Sequence, residues 1–180
     1  RYTPNKAWQG KTVSEIAAIN QETPAQGLLR IIRESAAPDE GATIVATSMS
    51  ETDINNFLKW PYTNVCSDGA MKGHPRGHGA FPRVLGRYVR EQKLMPLETA
   101  IHKMTSLTAE NMGMQQRGLI APGYFADLVL FDPETIIDNA TVENSGLLST
   151  GVHYVWVNGK LVYQDQNAVA NYPGRFVGRM

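Results

Sequence analysis

The chain has 180 residues, 17 basic and 17 acidic side chains and 42% hydrophobic residues, enough for a real core in an ordinary globular protein of one domain or slightly more. Balanced charge gives no electrostatic reason to expect nucleic acid or an anionic membrane as partner, and no apolar run approaches the roughly 20 residues of a membrane span. The opening residues do not read as a secretory leader, and the lone Cys66 cannot form an internal disulfide, so a cytoplasmic protein is expected.

Thr12-Val-Ser-Glu15 has the form of a capping box and precedes Ile16, Ala17 and Ile19, which predicts a helix from about residue 13. Pro24 fits the start of a second helix, with Leu28, Leu29, Ile31 and Ile32 as its apolar side and Pro38 and Gly41 beyond its end. The short β-branched run Ala42–Thr47 predicts a buried strand. Ser50-Glu-Thr-Asp53 is another capping box, leading into Ile54, Phe57 and Leu58 and stopped by Trp60-Pro61. Tyr62–Ser67 then predicts a strand that delivers Asp68-Gly69 into a loop rich in His, Arg and Gly, His74-Pro75-Arg76-Gly77-His78-Gly79. Strands alternating with helices argue for parallel β-α units, whose carboxyl ends are where such folds place chemistry.

Phe81, Val84, Leu85, Tyr88 and Val89 share one helical face ending near Gln92, with Arg83, Arg87 and Arg90 on the opposite, solvated side. Pro96 opens a further helix with Leu97, Ala100, Ile101 and Met104 inward, and a short one over 108–112 is closed by Gly113. From there the pattern turns to β. Ala126–Phe131 is a strand ended by Asp132-Pro133, and Val152–Val157, Asn158-Gly159 and Lys160–Tyr163 form a hairpin, because Asn-Gly supplies the positive φ angles of a tight turn. Too few strands are present to close a (β/α)8 barrel of about 250 residues. With Arg1 in place of an initiator Met, the expectation is the C-terminal portion of a larger enzyme.

Asp68 is the leading candidate for chemistry: a carboxylate at a strand tip can act as a general base, although Asp-Gly pairs commonly do no more than cap a turn. His74 and His78 are four residues apart, but Pro75, Gly77 and Gly79 favour a loop there, and no cysteine or carboxylate has matching spacing for zinc. Cys66 reads as a small buried hydrophobe, and His102 and His153 as structural.

Cys66-Ser-Asp-Gly69, His74-Pro-Arg76 and Phe81-Pro-Arg-Val-Leu-Gly-Arg-Tyr88 together resemble the N-acyl-D-amino-acid deacylases (D-aminoacylases) of the metal-dependent amidohydrolase superfamily. Lys103–Ala109, Arg117-Gly-Leu-Ile-Ala-Pro-Gly123, Ala126–Pro133 and Gly151–Gly159 continue the resemblance in order. It implies an α/β fold, the C-terminal part of a (β/α)8 barrel over residues 1–115, with residues 116–180 contributing the C-terminal strands of a small composite β-sandwich. It also implies hydrolysis of the amide bond of small-molecule N-acyl-D-amino acids. Asp68 would be the general base, taking a proton from a metal-bound water and passing it to the leaving amine. Arg76 would clamp the substrate's α-carboxylate through its guanidinium fork. Zinc is implied for the complete enzyme, with its ligands outside this chain, which would be inactive alone. A homo-oligomer is compatible with the pattern. Two other readings stay open: a cyclic-amide hydrolase of the dihydroorotase or hydantoinase kind, and a non-catalytic packing or dimerisation module.

Overall fold

Reciprocal caps set the first helices. In the computed structural model, which describes residues 2–37, 41–42, 44, 46, 48–69 and 74–178, Thr12 and Glu15 close a capping box around helix α1, Val13–Ile19. Helix α2, Pro24–Glu34, has Pro24 in its first turn and a second box from Thr23 and Gln26. Helix α3, Glu51–Lys59, is closed by Ser50 and Asp53. Each box satisfies two backbone donors that a helix start otherwise leaves open.

The chain divides into two compact units, residues 1–47 and 48–180. In the first, α1 and α2 meet at Ala17 and Gly27, where a Cβ on Gly27 would lie 3.0 Å from the Ala17 Cβ. Ile16 and Ile31 join Tyr2 and Trp8 in a small core, and the two rings stack with centroids 5.4 Å apart. The expected apolar side of α2 is only partly used: Ile31 is buried, whereas Leu29 and Ile32 are 52% and 55% exposed, because α1 reaches the Gly27–Ile31 side alone. Within the expected strand 42–47, residues 43, 45 and 47 lie outside the described residues. Of the others, Ala42 makes an isolated antiparallel bridge to Tyr2, and Ile44 is exposed.

The second unit is built around one long helix. Helix α4, Arg76–Arg83, runs directly into a π-helical stretch, Val84–Glu91. The segment containing His74 to Gly79 is therefore helical from Arg76, not the expected loop; Pro75 sits just before the first helical residue, where a missing N–H costs nothing. Val84, Leu85 and Tyr88 point as the periodicity predicts, into a core with Leu58 of α3, Ala100 of helix α5 (Leu97–Met104) and Ile136. Leu97, Ile101 and Met104 pack against the same cluster. Helix α6, Ser106–Met112, starts two residues before its expected position and ends at Gly113 with φ +68°.

The arginine face is partly solvated, as expected, with side-chain exposures of 41%, 35% and 27% at Arg83, Arg87 and Arg90, but each guanidinium also has a partner in the protein. Arg83 Nη1 lies 2.9 Å from Asp138 Oδ2, Arg87 pairs with Glu51 of α3 at 2.7 Å, and Arg90 Nη1 donates to the carbonyl of Ile136 at 2.5 Å and of Pro133 at 3.2 Å. Gly86 lets the backbone of residues 136–137 approach this side directly, since a Cβ there would meet Ile136 O at 2.5 Å. The long helix is thus held by α3, by α5 and by residues 132–138, with Ile136 contributing its side chain to the core and its carbonyl to Arg90.

The remaining strands, β1 (Leu128–Phe131), β2 (Val152–Val157), β3 (Lys160–Gln164) and β4 (Asn167–Ala168), form one antiparallel sheet in the order β1-β2-β3-β4. Asn158 and Gly159 turn the β2–β3 hairpin with φ +47° and +77°. Arg117 fastens that turn: it ion-pairs with Asp127, donates to Asn158 Oδ1 at 3.2 Å, and its guanidinium carbon lies 4.3 Å from the centre of the Phe125 ring. Helices and sheet together give the expected α/β content. Tyr62–Ser67, by contrast, joins no ladder, because no described strand lies beside it to pair with. None of the described helices is long and apolar enough to cross a membrane.

Candidate functional site

Asp68 and Arg76 are brought together. Asp68 adopts a left-handed backbone with φ +42°, a conformation that Asp tolerates better than most residues. Ser67 Oγ accepts a hydrogen bond from Gly69 N at 3.2 Å, a local turn that lifts Asp68 outward. Arg76, the first residue of α4, reaches back across the turn: its Nε donates to Asp68 O at 2.7 Å, and its Nη2 lies 2.8 Å from Asp68 Oδ2. His74 Nδ1 accepts from Arg76 N at 3.1 Å, so the imidazole acts as a helix cap. Both charged side chains face solvent, Asp68 at 75% and Arg76 at 46% exposure. An ion pair that open is worth little to stability, at most about 1 kcal/mol, so neither group is held in this arrangement by the fold alone.

The other candidates separate from this pair. His78 lies within α4, and its backbone carbonyl accepts from Ser149 Oγ at 2.9 Å. Cys66 is exposed rather than buried, its segment joining none of the described strands. His102 Nδ1 is 2.6 Å from Ser106 Oγ, and His153 Nδ1 is 3.3 Å from Asp165 Oδ1. Among the described residues no three His, Cys, Asp or Glu side chains are grouped to hold a metal ion. The residues present here therefore do not fit a metal site of their own.

One functional-looking residue escapes sequence reasoning. Lys103 is 2% exposed, and its Nζ donates to the carbonyl of Trp60 and, at 3.5 Å, to that of Thr63. Burial pushes its pKa down. It ties α5 to the turn after α3, which leads into the Asp68 segment. A lysine in an amphipathic helix reads as solvent-facing, and the only available signal was the family-like run Lys103–Ala109.

A profile of the amidohydrolase family matches residues 62–163, more than half of the chain, and the chain belongs to that family. Its relatives are more particular. It is 46% identical over 134 residues to D-aminoacylase of Alcaligenes xylosoxydans xylosoxydans, covering 73% of this chain and 28% of that enzyme. A solved structure concerned with the binuclear metal centre of D-aminoacylase superposes with a TM-score of 0.86 at 39% identity, over 99% of this chain and 36% of that one. N-acyl-D-glutamate deacylase of Bordetella bronchiseptica, solved with zinc and a phosphonate mimic of the tetrahedral intermediate, gives a TM-score of 0.78 at 38% identity. It is matched over 95% of this chain and 35% of its own length. The chain thus spans about a third of the length of these relatives.

Proposed function

We propose that this chain carries the general base and the carboxylate clamp of an N-acyl-D-amino-acid deacylase. Residues 1–115 would belong to its (β/α)8 barrel and 116–180 to its β-sandwich. The observation that carries the reading is the approach of Arg76 Nη2 to within 2.8 Å of Asp68 Oδ2. In an N-acyl amino acid the scissile amide nitrogen and the α-carboxylate are attached to the same carbon, so a base acting at the amide and a cation holding the carboxylate must be neighbours. The match to D-aminoacylases at 38–46% identity supports the same substrate class.

In this scheme the substrate's α-carboxylate replaces Asp68 on the guanidinium, in the bidentate geometry that arginine offers to a carboxylate. That exchange leaves the Oδ2 lone pair of Asp68 available. The carboxylate takes one proton from the water attacking the acyl carbonyl, then delivers it to the amine nitrogen as the C–N bond breaks. Water and amide are consumed, and a carboxylate and a free amino acid are released. The zinc reported for the Bordetella relative has no group of ligands among the residues described here, so its ligands are assigned to segments outside this chain.

The test is Asp68→Asn in the complete enzyme, the protein that also carries the segments matching the rest of its relatives. Turnover is expected to fall by about 10²–10⁴, the usual contribution of a positioned base, with the fold unchanged by circular dichroism. Near-normal turnover would overturn the assignment.

A further inference from the structure

Arg76 is the first residue of α4, so whatever fixes that helix fixes the clamp. Six residues further on, Pro82 has no N–H to donate, and the carbonyl four residues back, His78 O, is left without its helical partner. That is where a helix bends unless another donor is supplied. Ser149, itself buried, supplies one: its Oγ donates to His78 O at 2.9 Å. Ser149 is in turn held in place, since its carbonyl accepts from Gln166 Nε2 at 2.9 Å and the adjacent Thr150 bridges Ile137. One residue along α4, Gly79 lies so close to Asp138 that a Cβ would come within 2.8 Å of the Asp138 Cβ. Asp138 also holds Arg83 at 2.9 Å, with its own side chain only 9% exposed.

We infer that Ser149 and Asp138 are positioning residues for substrate recognition: they lock the proline-weakened first turns of α4 and so aim Arg76 at the carboxylate-binding position. The inference rests on the reading of Arg76 as the carboxylate clamp. Neither residue touches Arg76 or Asp68. They act through the helix backbone, and the sequence of the β-rich part thereby controls a side chain more than sixty residues earlier. Releasing the lock lets α4 bend at Pro82 and misplaces Arg76, while Asp68 keeps the turn that Ser67 Oγ and Gly69 N close around it.

The experiment compares Ser149→Ala and Asp138→Asn in the complete enzyme. One substrate is an N-acyl-D-amino acid; the other is the same compound with its α-carboxylate converted to the primary amide. For the acid, KM is expected to rise about fivefold, the factor that one lost hydrogen bond represents, with kcat essentially unchanged. For the amide, kcat/KM is expected not to move. Equal losses on both substrates, or no loss on either, overturn the proposal. Should Ser149→Ala fail to fold, Asp138→Asn, which keeps the side-chain shape, decides by the same criteria. Arg76→Met separates the two levels of the argument. If it keeps the preference for the acid, the clamp assignment fails and the lock with it; if it abolishes that preference while Ser149→Ala and Asp138→Asn change nothing, the lock alone fails.

Discussion

Replacing Gly86 with alanine sets two opposed effects against each other, and the structure says which wins. In an ordinary exposed helix the change would help by about 1 kcal/mol, because alanine loses less backbone entropy than glycine. At this position the new Cβ would lie 2.5 Å from Ile136 O, 2.5 Å from Ile137 Cδ1 and 3.1 Å from Ile137 Cα. The Cδ1 is the end of a flexible side chain and can turn away. The carbonyl and Cα are backbone, and the same carbonyl accepts Arg90 Nη1 at 2.5 Å. Making room means separating the helix from residues 136–137. Overpacking of this kind costs about 1–3 kcal/mol, and weakening a hydrogen bond to a charged donor adds about 1.5–3 kcal/mol. The net expectation is a loss of about 1.5–5 kcal/mol after subtracting the propensity gain of about 1 kcal/mol, read as a lower urea midpoint with unchanged slope. Gly146→Ala is the control: nothing lies within 4 Å of its Cβ position and its φ is not positive. A Gly86→Ala chain as stable as the parent, or more so, would refute the argument that this close approach holds the long helix.

Lys103→Ala removes both the buried stem and the donor to the Trp60 and Thr63 carbonyls, and should cost about 2–4 kcal/mol in the same unfolding assay; Lys103→Met, which restores most of the stem, should lose less. The hydrogen bond from Glu134 N, helped by Thr135 Oγ1, holds the Asp132 carboxyl below the usual carboxylate range. Its folded pKa is thus lower than its unfolded one, so its contribution is full above the unfolded value of about 3.9 and is lost as pH falls through the folded value. Asp132→Asn should therefore flatten the acid limb of a stability-against-pH profile and leave its slope near neutrality unaltered. Elemental mass spectrometry of the purified 180-residue chain should find no stoichiometric zinc; about one zinc per chain, lost on His74→Ala or His78→Ala, would mean that these two histidines build a site of their own.

Local chemistry was legible along most of the chain. The boxes at Thr12 and Ser50, the inward positions of α5, the Gly113 stop and the Asn158-Gly159 hairpin are decided by residues within a few positions of one another, and such signals survive whatever packs around them. The two candidate residues were legible as well, since Asp68 and Arg76 are eight positions apart in the sequence and stood out by residue type and family resemblance. Other features depend on neighbours distant in sequence. Burial of Cys66 and pairing of Tyr62–Ser67 require adjacent strands, which no local pattern can provide. The arginine face of the long helix reads as solvated, and it remains partly so, but its partners Asp138, Glu51 and the Ile136 carbonyl come from elsewhere in the chain. The sequence by itself determined where helices and turns begin and end, because caps and φ preferences act over three or four residues. Only the tertiary structure decided that Lys103 is buried, that Gly86 is a point of backbone approach and that Ser149 completes the helix Pro82 interrupts, because each requires a partner dozens of residues away to be brought within hydrogen-bonding or van der Waals distance.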